Sequence, residues 1–240
     1  MSRCIRERLQ IVRWLAVADI KALQLEASQR ICAAAEAAIA ARGVFQLVLA
    51  GGHTPRGVYA HLGDADAAWS RWQIYFGDER CLPASDTARN SQMAATQWLN
   101  HVAMTSQQIH MIPAELGPEQ AARAYAETLQ AVGDFDLVLL GLGEDGHTAS
   151  LFADHELGTA SDAPDVLAVF DAPQAVTQRV SLSAARLSRT RAALYLVAGE
   201  TKRTAVARWH AGEALPAAMI RPLAGVDVLI ESTLLGPHPD

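Results

Sequence analysis

Short apolar runs that pass directly into glycines or charges, with helical stretches between them, set the main constraint on how this chain can fold. Val44-Phe45-Gln46-Leu47-Val48-Leu49-Ala50 runs into Gly51-Gly52-His53-Thr54-Pro55, and Gln73-Ile74-Tyr75-Phe76-Gly77 runs into Asp78-Glu79-Arg80. The clearest of them, Phe135-Asp136-Leu137-Val138-Leu139-Leu140, enters Gly141-Leu142-Gly143-Glu144-Asp145-Gly146-His147. Runs of this length without a polar alternation read as strands buried on both faces, the kind found in parallel sheets.

Helical stretches separate them. From about Asp19 to Arg42 the apolar residues Leu23, Ala27, Ile31, Ala34, Ala35 and Ala38 fall on one stripe, and Gly43 stands where a helix stops. Pro55 opens a helix over Arg56 to Leu62, and further helices are expected near Asn90 to Leu99, over Pro118 to Val132 and over Glu200 to His210. Shorter strands are expected near Ile109 to Ile112, Val166 to Phe170, Arg179 to Leu182 and Ala192 to Ala198, with a loop from Ala153 to Asp165. The sum is an α/β fold: one doubly wound, mostly parallel sheet with helices on both faces, in a single domain over residues 1–240.

Composition narrows the partners. With 20 Lys+Arg against 26 Asp+Glu the net charge is -6, which argues against a nucleic-acid partner, so cations for an anionic ligand must be gathered locally. Cys4, Cys32 and Cys81 are widely spaced and make no CxxC pair, so they read as reduced thiols and not as a zinc site or disulfide framework. Arg3, Arg6, Glu7, Arg8 and Arg13 interrupt the apolar stretch a signal peptide needs, and no run reaches the length of a membrane span. A cytoplasmic protein that engages no membrane is expected.

Ligands of an open α/β sheet bind beyond the carboxyl ends of its strands, where three polar clusters fall. Gly51-Gly52-His53-Thr54 can bring backbone N–H groups and a helix N-terminus to a phosphate, or it is only a tight turn. It lacks the Gly-Lys-Ser/Thr ending of a P-loop. Asp78-Glu79-Arg80 is either part of a site or a solvated set of paired charges. Gly141-Leu142-Gly143-Glu144-Asp145-Gly146 fits the dinucleotide pattern G-x-G-x-x-G, with Asp171 as a candidate ribose ligand. However, Gly158 and Pro164 break the crossover helix that pattern needs, so the match reads as incidental. Asp145 two residues before His147 can orient an imidazole for proton transfer, or the pair is a helix cap and an exposed histidine. His53, His147 and His155 have no metal-ligand spacing, and no G-x-S-x-G occurs. Neither a metal nor an organic cofactor is expected.

These residues carry a resemblance. Leu49 to Pro55, Gly77 to Arg80 and the block Leu139 to Phe152 resemble the signature segments of the 6-phosphogluconolactonase family. Arg179-Val180-Ser181-Leu182-Ser183, Leu196 to Lys202 and Leu215-Pro216-Ala217 are similar to its later segments, so the likeness spans the chain from about Asp19 onward. It departs at His53, where the family usually has Ser, at Ala153, where it has Pro, and around Val228 to Glu231, where its tryptophan and aspartate are absent. The resemblance implies a fold shared with glucosamine-6-phosphate deaminases and ribose-5-phosphate isomerases. Deaminases usually carry Asp-Glu-Tyr at the position of Asp78-Glu79-Arg80, which favours the lactonase.

The expected activity is hydrolysis of 6-phospho-D-glucono-1,5-lactone, the second step of the oxidative pentose phosphate pathway. His147 would be the general base on water, Asp145 its support, and Arg80 with loop N–H groups the oxyanion's partners. Asp78 joins this catalytic set. Arg179, Lys202 and Gly51, Gly52, His53 and Thr54 would hold the phosphate. A deaminase-like enzyme and a non-catalytic sugar-phosphate sensor of the same fold are the alternatives. Sensors usually carry an attached DNA-binding segment, for which Met1 to Ala18 is too short.

Overall fold

The computed structural model describes residues 11–236, so Cys4 and the charges at Arg3, Arg6, Glu7 and Arg8 lie outside the described residues. The first element is a strand that the sequence reading did not assign, β1 (Val12–Val17). Helix α1 (Ile20–Arg42) follows, delimited by the chemistry of its ends: the Asp19 carboxylate accepts the Ala22 N–H at 2.8 Å, and Gly43 turns left-handed at φ 77. A cap of this kind stabilises a helix by about 1 kcal/mol. The expected stripe is buried except at Ala34, which is only partly so.

The chain continues through β2 (Phe45–Leu49), α2 (His53–Gly63), β3 (Trp72–Phe76), β4 (Asp78–Arg80) and α3 (Asn90–Ala94). Beyond α3 the helix widens into a π turn over Ala95–Leu99. There follow β5 (Ile109–His110), α4 (Pro118–Leu129), β6 (Leu137–Gly141), β7 (Val166–Val169), β8 (Arg179–Leu182), α5 (Ala184–Ser188) and β9 (Ala193–Val197). The last elements are α6 (Arg203–His210), entered by a single 3-10 turn at Glu200–Lys202, and β10 (Val226–Glu231). No helix among the described residues is long and apolar enough to cross a membrane.

Seven of the strands make one all-parallel sheet in the order β1-β10-β9-β6-β2-β3-β5, as the buried apolar runs require. The other three, β4-β8-β7, form a separate antiparallel sheet. The parallel sheet is the one expected, and the small second sheet is an addition that the sequence reading did not assign. Asp78-Glu79-Arg80 is not a loop at a strand end but a strand, and Arg179 to Leu182 pairs with it, not with the parallel core. Gly77 is the turning point, where the chain leaves β3 and enters the second sheet within one residue.

Helix α1 packs against β1, β2, β10 and α2, while α4 packs against β7 and β8 and links them to the parallel sheet through Tyr125, whose hydroxyl accepts the Phe76 N–H of β3 at 2.9 Å. Phe45, Trp69, Trp72 and Trp98 fill the core near β3 in edge-on and tilted contacts of 4.7–5.7 Å between ring centroids.

Candidate active site

Strands β2 and β6 are neighbours at the middle of the parallel sheet. From them the chain runs outward in opposite directions, to β3 and β5 on one side and to β9 and β10 on the other. Loops leaving the carboxyl ends of two such strands diverge and open a crevice between them. The crevice is a cleft of about 240 Å³, and Gly51, Gly52, Asp78, Arg80, His147, Arg179 and Lys202 all line it.

His147 and Asp145 form a closed pair after β6. Nδ1 of the ring lies 2.5 Å from Asp145 Oδ1, and the same oxygen accepts the His147 backbone N–H at 3.1 Å. The ring also rests on Phe152, with centroids 4.8 Å apart. Burial alone would raise the Asp145 carboxyl, but the hydrogen bonds from the His147 backbone and ring outweigh it and hold the group below the usual carboxylate range. With Nδ1 committed to Asp145, Nε2 is the nitrogen left for chemistry. Asp145 itself stands behind the imidazole and does not line the cleft.

Glycines make this pairing possible. A Cβ on Gly143 would sit 1.9 Å from His147 Nδ1 and 2.6 Å from Asp145 Oδ1, and a Cβ on Gly146, at φ +92, would press on Leu215 at 2.9 Å. A Cβ on Gly141 would meet nothing within 4 Å. Residues 147–165 form turns and an isolated bridge but no helix, so the loop lacks the crossover of a dinucleotide-binding unit.

The two acids of β4 point to different tasks. Asp78 is buried at the cleft wall: Oδ2 accepts the Ser150 hydroxyl at 2.6 Å and Oδ1 the Asn90 amide at 3.0 Å. Glu79 faces the other way, fully buried, and accepts the backbone N–H groups of Asn90 and Ser91 at 2.7 and 2.9 Å. It caps α3 and lies 3.5 Å from the buried Arg89, which is a structural use of charge.

The cations converge as well. Arg80 and Arg179 are opposite each other in the β4–β8 register, and Lys202 reaches the same cleft from the turn before α6. Arg179 is 3% exposed and already donates to the carbonyls of Val176 and Ala175 and to Gln174 Oε1 at 2.9, 3.0 and 3.3 Å. Burial lowers its pKa, Asp78 opposes that, and Arg80 adds to it. Lys202 has no ion pair among the described residues.

Two expected residues sit elsewhere. His53 lines an adjoining cavity of about 540 Å³ that shares Gly52, Arg80 and Asn90 with the cleft, and Thr54 lines neither. Both belong to the first turn of α2, which starts at His53, three residues before the expected Arg56.

Three residues escaped the sequence reading: Asn90 and Gln174, which line the cleft, and the buried Ser150, which donates to Asp78. Asn90 holds Asp78 and lies so close to Gly51 that a Cβ there would be 2.0 Å from its Oδ1. Its position at the start of a helix was the one available signal. Ser150 lay inside a quoted motif without a role, and Gln174 stands in a stretch with no periodicity at all. Among the described residues no three of His, Cys, Asp or Glu gather as a metal site would require.

Comparison with known proteins gives the family. The family described as glucosamine-6-phosphate isomerases/6-phosphogluconolactonase matches residues 18–229. A 6-phosphogluconolactonase of Synechocystis sp. is 35% identical over 198 residues, 77% of this chain and 81% of the relative. One of Streptomyces coelicolor is 35% identical over 221 residues, 83% of this chain and 84% of the relative. The crystal structure of the 6-phosphogluconolactonase of Thermotoga maritima is similar with a TM-score of 0.85 at 25% identity, covering 92% of this chain and 100% of the other.

Proposed function

The chain belongs to the glucosamine-6-phosphate isomerase/6-phosphogluconolactonase family, and from that premise we propose that it hydrolyses 6-phospho-D-glucono-1,5-lactone to 6-phospho-D-gluconate. It does so in the cytoplasm, as one domain, in the second step of the oxidative pentose phosphate pathway. The observation that carries this reading is the His147–Asp145 pair at the wall of a cleft that also holds Arg80, Arg179 and Lys202.

A lactone is an activated ester, so a positioned base and an oxyanion partner suffice. Nε2 of His147 takes a proton from water as the water oxygen bonds to the lactone carbonyl carbon. The Asp145 carboxylate accepts a hydrogen bond from Nδ1–H and stabilises the imidazolium that results. The tetrahedral oxyanion is met by Arg80 and by N–H groups of the glycine loops. As the intermediate collapses, the bond to the ring oxygen breaks and the imidazolium returns its proton to that oxygen. Asp78, held by Asn90 and Ser150, keeps lone pairs free to accept a sugar hydroxyl and so orients the ring. Arg179, Lys202 and the backbone at Gly51 and Gly52 hold the phosphate.

The test is a coupled assay on freshly generated lactone with the spontaneous rate subtracted. Catalysed hydrolysis without ammonia release from glucosamine 6-phosphate is the expected result. Ammonia release with no lactone hydrolysis would assign the cleft to a deaminase, and binding of 6-phosphogluconate with neither activity would make it a sensor.

A further inference from the structure

The loop between β7 and β8 brings one side chain to both functional halves of the cleft. Gln174 Oε1 accepts from Arg179 Nη2 at 3.3 Å, and its Nε2 lies 3.4 Å from His147 Nδ1, at the long end of hydrogen-bond range. The orientation of the amide follows from chemistry: a guanidinium has only donors, so the oxygen must face Arg179 and the NH2 group must face the imidazole. Phe152 touches the same two partners, with the His147 ring 4.8 Å away and the Arg179 guanidinium 5.7 Å from its centroid. Phe152 has no polar atom to exchange, whereas the amide has two.

The loop is built around Arg179. Asp171 and Val176 take left-handed backbone at φ 54 and φ 63, costly for any residue with a Cβ and most so for a β-branched one. The Ala172 N–H closes the loop on the Thr177 carbonyl at 3.0 Å, and the Val176 and Ala175 carbonyls accept from Arg179. A group that engages the Arg179 guanidinium competes for the hydrogen bonds that set this loop and the Gln174 amide.

We propose that Gln174 is a positioning residue that couples phosphate binding at Arg179 to the proton-accepting power of His147. Held by Arg179, the amide presents N–H toward Nδ1. Since Nδ1–H already donates to Asp145 at 2.5 Å, this sets donor against donor, and the opposition grows when the ring becomes cationic. A phosphate on Arg179 takes over the donor that fixes Oε1. The amide then turns its oxygen toward the imidazolium and supports it. No covalent bond changes; one acceptor is exchanged between two claimants. The phosphorylated lactone thereby gains in turnover as well as in affinity. This inference rests on the lactonase reading and on Arg179 as a phosphate ligand.

Gln174→Met keeps the length of the side chain and removes both polar arms. Turnover numbers and Michaelis constants are measured for the phosphorylated and unphosphorylated lactones. The expected result is a drop in the ratio of the two turnover numbers by about fivefold, the worth of one ordinary hydrogen bond. It arises from a fall for the phosphorylated and a rise for the unphosphorylated substrate. Equal losses on both substrates mean a structural residue, and a changed Michaelis constant with an unchanged ratio means a simple phosphate contact; either overturns the coupling. A second measurement needs no activity: nitrogen NMR of the His147 ring with inorganic phosphate added. Phosphate should shift Nδ1 more in the wild type than in Gln174→Met. Equal shifts overturn the coupling even if the enzyme is a lactonase, and no phosphate binding in either protein overturns it together with the role of Arg179. Absence of lactone hydrolysis with the NMR difference intact would instead sink only the lactonase reading.

Discussion

Arg80 and Arg179 stand directly opposite each other across β4 and β8, two guanidinium groups at one register position on the wall of the same cleft. Like charges facing across an antiparallel pair destabilise it. Arg179 is buried as well, with Asp78 the one nearby carboxylate that raises its pKa. Such a pair is poised for an anion, which would relieve the repulsion.

An anion of the substrate class should therefore stabilise the fold. At a hundredfold excess over its dissociation constant, 6-phosphogluconate should add about 2.7 kcal/mol. For a chain of this size that is a rise in melting temperature of roughly 5–10 °C. Gluconate without the phosphate should give a much smaller rise. Equal rises from the two compounds, read by calorimetry, would remove the phosphate from the account of this pair.

Removal of the base is the direct test of the mechanism. His147→Ala should lower turnover by roughly a hundredfold or more, with little change in affinity for 6-phosphogluconate. Near-normal turnover in a folded His147→Ala protein would assign the base elsewhere.

Gly143 and Gly141 separate two explanations of one glycine pattern. Gly143→Ala places a methyl within 1.9 Å of Nδ1 and should displace the imidazole, with a turnover loss approaching that of His147→Ala and little change in the global unfolding midpoint. Gly141→Ala, with open space at its Cβ, should keep the His147–Asp145 pair intact. If the pattern served a dinucleotide instead, NADP would bind the wild type and Gly141→Ala would weaken it. Titration calorimetry distinguishes these outcomes.

What could be read in advance followed from burial. β2, β3, β6 and β9 are apolar on both faces, so their sequences show continuous apolar runs, and the order of glycine and polar clusters after them located the cleft. β1 and β10 escaped because each carries charge: Arg13 and Asp227 occupy one register position and pair across the strands, a compensation visible only once the strands are adjacent. The second sheet escaped for a related reason. Nothing in Asp78-Glu79-Arg80 marks a strand, and its pairing with β8 is settled across about a hundred residues of sequence. Among the cleft-lining residues, the glycines, Asp78, Arg80 and His147 stood out because they follow directly on buried apolar runs. Asn90 and Gln174 did not, since a surface amide looks the same as one that orients a carboxylate or an imidazole.

The Asp145 carboxyl gives a pH test with a definite sign. Its folded-state pKa lies below the ordinary value, so the group contributes stability above the unfolded pKa of about 3.9 and loses it as pH falls through the folded value. Asp145→Asn should accordingly unfold at lower urea than the wild type at pH 7. The difference should shrink as pH falls below about 4. The effect should be modest, because the side chain is 49% exposed. A difference that persists unchanged at pH 3 would mean that the substitution acts through something other than the lost charge.

Arg179 and Lys202 both face the cleft, yet their surroundings predict different phenotypes. Lys202 has no ion pair among the described residues and, although it is the N-cap residue of α6, its side chain makes no cap hydrogen bond, so its ammonium is left to meet a phosphate. Lys202 makes no hydrogen bond to Gln174 or His147 among the described residues, so its hold on the phosphate is the same in the ground and transition states, and uniform binding of that kind sets the Michaelis constant and not the turnover number. Lys202→Ala should raise the Michaelis constant for the phosphorylated lactone by about one to two decades, the worth of a charged hydrogen bond. It should leave the unphosphorylated lactone untouched. Arg179 carries a second duty, since its guanidinium holds the Val176 and Ala175 carbonyls of a strained loop. Arg179→Ala should raise the same Michaelis constant and also lower the melting temperature and the turnover of both lactones, because the loop beside His147 loses its anchor. If Arg179→Ala instead copies Lys202→Ala, with stability and the unphosphorylated reaction intact, those carbonyl contacts hold nothing that catalysis depends on.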